Sequence, residues 1–229
     1  DMMEGRSDAF KKRFLVTHFF NPVRFMRLLE IVAGPETDPE IVDFMADFGT
    51  NTLGKGVVFG NDTPNFVGNR IGMYGMMRTL KEMMDKDYSI EEVDAIVGQP
   101  MGRPKSAAFR TIDMVGLDTV YHIMNNCHES LTDDEAREIF KPPEFIEKMI
   151  ERKQFGNKTK GGFYKKSKDE EGKKQILALD WKTGEYRPKE KVRFDSVGTA
   201  KNIDEVDKRV RDFIKADDRA GKFAWAVMS

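Results

Sequence analysis

The chain changes character at Thr63-Pro64. Before that point, apolar residues come in short β-branched and aromatic runs. After it they recur every three to four positions, the spacing of one helix face. A single sheet or a single bundle cannot serve both patterns. The sequence therefore predicts an α+β chain, with sheet-forming residues first and a helical part behind them.

Residues 13–20, Arg-Phe-Leu-Val-Thr-His-Phe-Phe, read as a buried strand stopped by Asn21-Pro22. Leu28 to Val32 reads as a second strand, closed by Gly34-Pro35. Asp38 is an expected N-cap with Pro39 at the first helical position. Ile41, Val42, Met45, Phe48 and Leu53 follow at helical spacing, Gly54 stands as C′ residue, and Lys55 to Phe59 makes a third strand. This β-β-α-β segment is too short for a complete α/β sheet.

From Phe66 to Met84 one apolar stripe predicts a long helix. Ser89 with Glu92 and Thr132 with Glu135 read as capping boxes. Further helices are expected over 106–115, from Asp118 to about Leu131, and from Pro143 to about Arg152. The charge run Lys165 to Lys174 reads as a solvated loop. Ile176–Leu179 and Val192–Phe194 read as hairpin arms around Lys182-Thr183-Gly184, and a helix is expected from about Ile203. The domains expected are 1–60, 61–164 and 165–229.

Composition narrows the partners. The 229 residues carry 38 Lys+Arg against 39 Asp+Glu, which argues against nucleic acid or an anionic membrane surface. No apolar run approaches the roughly 20 residues needed to span a bilayer. One cysteine, Cys127, excludes a disulfide scaffold and any multi-cysteine metal site. His122, Cys127 and His128 are spaced i, i+5 and i+6, which does not converge on a metal, so none is expected. The reading is a cytoplasmic protein. The start at Asp1, without Met, and the apolar end at 223–229 read as cut edges of a longer chain.

His18-Phe19-Phe20-Asn21-Pro22, with Glu30 twelve residues after the histidine, is the segment richest in chemistry. An imidazole at a strand end suits general-base work near neutral pH, and a carboxylate on its other nitrogen would fix the tautomer. Spacing alone does not pair them. An idealised hairpin around Pro22 sets His18 opposite residue 27 and leaves Glu30 roughly 10 Å away, so on spacing alone His18 reads first as a structural histidine.

These residues resemble the active-site signature of the 3-hydroxyacyl-CoA dehydrogenases. Asp62-Thr63-Pro64-Asn65-Phe66-Val67-Gly68-Asn69-Arg70 resembles the opening of that family's helical domain, with Asn65 where Gly is usual. Lys158-Thr159-Lys160-Gly161-Gly162-Phe163-Tyr164 resembles its closing motif. Gly102-Arg103-Pro104-Lys105-Ser106 through Val115-Gly116-Leu117-Asp118-Thr119 is similar to the long bacterial form fused to an enoyl-CoA hydratase.

The resemblance implies the C-terminal strands of a Rossmann-type domain, an all-α domain and a β-hairpin/helix extension. It implies oxidation of 3-hydroxyacyl-CoA to 3-oxoacyl-CoA with NAD in fatty-acid β-oxidation. His18 would be the base and Glu30 its partner. Asn69 would bind substrate oxygen, and Asn21 would lie beside substrate and nicotinamide. A homodimer through the helical domain is implied as well. Asn21-Pro22 is also good turn chemistry, and Asn69 also a helix buttress. The dinucleotide loop G-x-G-x-x-G is not found: Gly54-Lys55-Gly56 and Gly60 have the wrong spacing and follow a helix.

The chain is therefore expected to lack the NAD-binding half and to be nearly inactive alone, with a non-catalytic helical dimerisation or acyl-binding module as the alternative. Met73, Met76, Met77, Met83 and Met84 read as core or interface before acyl groove. Lys105 and Arg103 are weak candidates for CoA phosphates.

Overall fold

Short apolar runs and helical stripes fold where the periodicity puts them, with local exceptions. The computed structural model describes residues 2–229, so Asp1 and the cut edge read there lie outside the described residues. In chain order come helix α1 (Asp8–Lys11), strands β1 (Leu15–Phe19) and β2 (Leu28–Ala33), helix α2 (Pro39–Asp47), strand β3 (Gly56–Gly60) and helix α3 (Gly68–Asp85). Helices α4 (Ile90–Val97), α5 (Phe109–Val115), α6 (Leu117–Ser130) and α7 (Glu144–Glu151) follow. Strands β4 (Tyr164–Lys168), β5 (Lys174–Leu179) and β6 (Tyr186–Pro188) precede helices α8 (Asp195–Ala200), α9 (Val206–Phe213) and α10 (Arg219–Met228). Two compact units result, one ending at Gly72 and the other running from Met73 to Ser229.

The first unit is a three-stranded sheet in the order β1-β2-β3, antiparallel between β1 and β2 and parallel between β2 and β3. The β2-α2-β3 crossover is what a parallel pair requires. As the central strand, β2 buries Leu29, Glu30, Ile31 and Val32 on both faces, as parallel neighbours generally do. Asp38 holds the N-cap position of α2, but its side chain makes no capping bond. The helix leaves α geometry at Phe48, where a π-helical turn runs to Thr52, and Gly54 then turns the chain with φ +64°.

The expected tight hairpin between β1 and β2 is corrected. Strand pairing sets His18 opposite Glu30, three positions beyond the idealised register. The extra residues are taken up in a turn where Phe25 and Met26 N–H donate to Pro22 O. Lys55 fastens that loop, its Nζ donating to Val23 O at 2.5 Å and Met26 O at 2.7 Å.

The second unit packs its helices on an apolar core in which Phe109, Phe140, Phe163 and Phe223 are fully buried. Each such side chain contributes about 1.5–3 kcal/mol of burial. The methionines of α3 join that core: Met73, Met77 and Met83 are buried in it, and Met76 and Met84 pack against it. The Ser89–Glu92 capping box forms as expected, with Ser89 N–H donating to Glu92 Oε2 and Glu92 N–H to Ser89 Oγ. Among the described residues no helix is long and apolar enough to cross a membrane.

Several sequence expectations are corrected in this unit. Helix α6 begins at Leu117, one residue before the expected Asp118, with Gly116 at the N-cap and the Asp118 carboxylate paired with Lys158 at 2.5 Å in the first turn. No Thr132–Glu135 capping box forms: residues 132–136 make turns, and only a 3-10 turn over Arg137–Phe140 follows. Helix α5 begins at Phe109, not at Ser106, because Ala107 takes φ +51°. The charge run is half strand. Strand β4 uses its first residues and pairs with β5 around a turn at 169–173, so the lysines decorate an edge strand, a position where charge blocks edge-to-edge association. The second partner of β5 is β6, not residues 192–194.

The closing glycines show why the third motif has its composition. Asp113 accepts N–H donations from Phe163 at 2.8 Å and Tyr164 at 2.9 Å. A Cβ on Gly162 would lie 2.0 Å from Asp113 Oδ1 and 2.6 Å from Gly156 Cα. Gly162→Ala is expected to lower unfolding stability by about 3 kcal/mol, through overpacking plus loss of those amide bonds. Urea denaturation checks this, and an unchanged midpoint would refute it.

Candidate active site

Glu30 is the residue around which the site is built. Its carboxylate is wholly enclosed, with 0% of the side chain exposed, so every charged oxygen must find a donor inside the protein. Strand pairing places His18 directly across on the neighbouring strand, within ordinary cross-strand reach. His18 Nδ1 meets Glu30 Oε2 at 2.5 Å. Glu30 Oε1 accepts from Val67 N–H at 2.9 Å and from Gly68 N–H at 2.6 Å.

Those two amides belong to the entry of α3, where the first backbone N–H groups lack helical acceptors and the helix dipole favours an anion. Asn65 and Phe66 take φ +62° and +49° just before the helix, which moves its expected start from Phe66 to Gly68. Left-handed backbone is why Gly is usual at the position of Asn65, and Asn is the next most tolerant residue there. Gly68 has a packing reason: a Cβ would come within 2.5 Å of Phe20 Cζ.

The electrostatics follow from these contacts. Burial pushes the Glu30 carboxyl up, but the bonds from His18, Gly68 and Val67 outweigh it and hold it below the ordinary value. An ionised carboxylate only accepts hydrogen bonds. The proton in the His18–Glu30 contact therefore belongs to Nδ1, and in the neutral ring Nε2 carries the lone pair. The His18 ring is 28% exposed and flanked by Phe20 and Phe66, with centroids at 4.7 and 5.8 Å. The arrangement is an oriented imidazole with one basic nitrogen on an accessible edge, equipped to take a proton from a bound hydroxyl.

Asn21 lies exposed on the loop directly after β1, and Asn69 is half-buried in the first turn of α3, next to Gly68. Among the described residues neither amide hydrogen-bonds to the His18–Glu30 pair. Outside this site, His122 is exposed, Cys127 is buried and His128 faces Glu138 at 3.4 Å. Arg103 and Lys105 are exposed in the second unit. Gly54-Lys55-Gly56 forms the helix-to-strand turn leading into β3. Sequence reasoning missed the amides of Val67 and Gly68 as ligands of Glu30. Their one signal was the motif around Asn65, whose backbone role does not show in side-chain chemistry.

Comparison with known proteins bears on the whole chain. The 3-hydroxyacyl-CoA dehydrogenase C-terminal domain matches residues 66–166, and the 3-hydroxyacyl-CoA dehydrogenase NAD-binding domain matches residues 5–63. A probable 3-hydroxyacyl-CoA dehydrogenase of Bacillus subtilis (strain 168) is 47% identical over 229 residues, covering 100% of this chain and 28% of the relative. A probable 3-hydroxyacyl-CoA dehydrogenase of Deinococcus radiodurans is 43% identical over 171 residues, 75% of this chain and 49% of the relative. The chain thus spans less than half the length of either. The crystal structure of M. tuberculosis FadB2 superposes with a TM-score of 0.59 at 30% identity, covering 68% of this chain and 53% of that one.

Two expectations are corrected by these matches. The chain does not lack the NAD-binding half, because residues 5–63 are NAD-binding-domain sequence. The error lay in equating that domain with its glycine fingerprint, when strands and a crossover also carry it. The expected origin in a form fused to a hydratase is cut back to a likeness in part: the Bacillus and Deinococcus relatives carry the dehydrogenase name alone, while a putative fatty acid oxidation complex trifunctional enzyme of Rickettsia felis is 34% identical over 167 residues, covering 72% of this chain and 23% of the relative. With a Rossmann-like NAD-binding start and a helical second domain, the chain belongs to the 3-hydroxyacyl-CoA dehydrogenase family.

Proposed function

We propose that this chain supplies the base of an NAD-dependent oxidation of 3-hydroxyacyl-CoA to 3-oxoacyl-CoA. The observation that carries the reading is the contact of His18 Nδ1 with the buried Glu30 carboxylate at 2.5 Å. His18 Nε2 takes the proton of the substrate's 3-hydroxyl as the carbon–oxygen double bond forms. Glu30 holds the ring in the competent tautomer and offsets the positive charge that the imidazole acquires, the function of the third group in other base–orienter pairs. Asn69, in the first turn of α3, would donate to the substrate oxygen near the reacting carbon.

The strand end fits a nicotinamide on one side. Asn21 is exposed beside the open edge of the site, its amide bound to no group among the described residues, and would face that ring. When bound, NAD accepts the hydride that leaves the substrate's C3. The rings of Phe20 and Phe66 flank the imidazole and lower the local polarity around its pairing with Glu30. Assembly as a homodimer belongs to the same reading, supported by the exposure of Ile71 and Tyr74 along α3. A cytoplasmic setting in fatty-acid oxidation belongs to it too, supported by the bacterial relatives.

Two outcomes are expected. In the full-length protein, His18→Gln lowers turnover of 3-hydroxybutyryl-CoA, followed as NADH formation, by about a thousandfold, within the range for loss of a general base; near-normal turnover sinks the proposal. Glu30→Gln keeps the shape but removes the charge, and is expected to lower stability at neutral pH by about 2–4 kcal/mol. The folded carboxyl lies below its ordinary 4.5, so its stabilisation is present above that pH and is lost as pH falls through the folded value. The stability gap between the two proteins should therefore close in acid. A gap independent of pH in urea denaturation would contradict the assignment.

A further inference from the structure

The loop that leaves the end of β1 runs from Asn21 to Arg27, and all seven of its residues are exposed. Its apolar side chains, Val23, Phe25 and Met26, stand in solvent, with Phe25 76% exposed. Burial therefore does not hold this loop in place, and a segment without buried contacts keeps its position through polar ones. The donations of Phe25 and Met26 N–H to Pro22 O shape it from within but tie it to no other element.

The tie comes from Lys55, at the start of β3. Its backbone is fixed on both sides: Lys55 N–H donates to Gly49 O at 2.9 Å, and the following N–H, of Gly56, donates to Arg27 O at 2.8 Å. Gly54, at φ +64°, makes the turn that brings the chain there. From that fixed point the side chain crosses to the loop, where its ammonium donates to Val23 O at 2.5 Å and to Met26 O at 2.7 Å. Both bonds are charge-assisted, and one cation binds two carbonyls on either side of the loop tip.

We infer that Lys55 is a positioning residue for the nicotinamide side of the site. Asn21 opens this loop three residues after His18, and the clamp lies two residues beyond it. Holding Val23 and Met26 limits where the Asn21 amide can go. The inference rests on the nicotinamide-facing role proposed above for Asn21. Lys55 touches neither the substrate nor the base in this account and acts through the loop alone. A clamp of this kind acts on one ligand, whereas a lysine that served only stability would not distinguish NAD from acyl-CoA.

The test is an equilibrium titration of the full-length protein with NADH, read by nucleotide fluorescence without turnover. Lys55→Met keeps an apolar stem and removes the ammonium. It should weaken NADH about fivefold, the worth of one hydrogen bond, and Asn21→Ala should do the same. The double variant should also lose about fivefold, because one residue acts through the other and the two effects do not add. Lys55→Arg retains the charge and the donors and should restore most of the affinity. In turnover of 3-hydroxybutyryl-CoA, Lys55→Met should raise KM for NAD and leave KM for the acyl-CoA unchanged. Circular dichroism checks that each variant is folded. Unchanged NADH affinity in Lys55→Met, losses that multiply in the double variant, or an arginine variant as weak as the methionine one would overturn the inference. Normal NADH affinity in Asn21→Ala would instead remove the reading of Asn21, and the inference with it.

Discussion

A carboxylate with no exposed surface is expensive, and the first unit is arranged around meeting that cost. Glu30 sits on the central strand, where both faces are buried and water cannot solvate it. Its three donors come from two directions: His18 on the adjacent strand, and the amides of Val67 and Gly68 at the mouth of α3. One side chain thus ties β1 to β2 and β2 to the helix. The loop register, the left-handed residues Asn65 and Phe66, and the missing Cβ of Gly68 all serve that convergence.

The second unit uses carboxylates in the same way with a different electrostatic result. Asp94 accepts from the N–H groups of Ala108 and Phe109 at the start of α5, and from the Tyr164 hydroxyl at 2.9 Å. Asp113 accepts from Phe163 and Tyr164 N–H. Burial wins at both, and each is pushed up to about 6. Burial also acts on Glu30 and Glu91, yet both lie below their ordinary value, because His18 binds the first and Arg187 the second at 2.7 and 3.0 Å. The difference is a cationic or ring-nitrogen partner as against neutral donors. The site carboxylate is the kind that stays ionised, which a tautomer-fixing partner must do.

Much of this was legible in the residues. Strand and helix positions followed from periodicity, and the Ser89–Glu92 box from its spacing, because these are local properties. Long-range pairings were not legible. The Thr132–Glu135 box has the right spacing and fails, since nothing at 132–136 continues the helix. The lysine run looked like a loop until β5 supplied the partner that made a strand of it. The His18–Glu30 pairing hid behind a loop three residues longer in register than the ideal turn, and only a family resemblance pointed to it. Backbone donors such as Val67 and Gly68 carry no side-chain signature at all.

The central claim is that buried Glu30 fixes His18 with its proton on Nδ1 and its lone pair on Nε2. The direct measurement is nitrogen-detected NMR of the protein labelled with ¹⁵N-histidine, comparing the unsubstituted chain with Glu30→Gln under conditions where the ring is neutral. The account predicts the Nδ1–H tautomer for His18, with a strongly downfield Nδ1 proton that is lost or shifted in the variant. An Nε2–H tautomer, or a signal indifferent to the substitution, would contradict it.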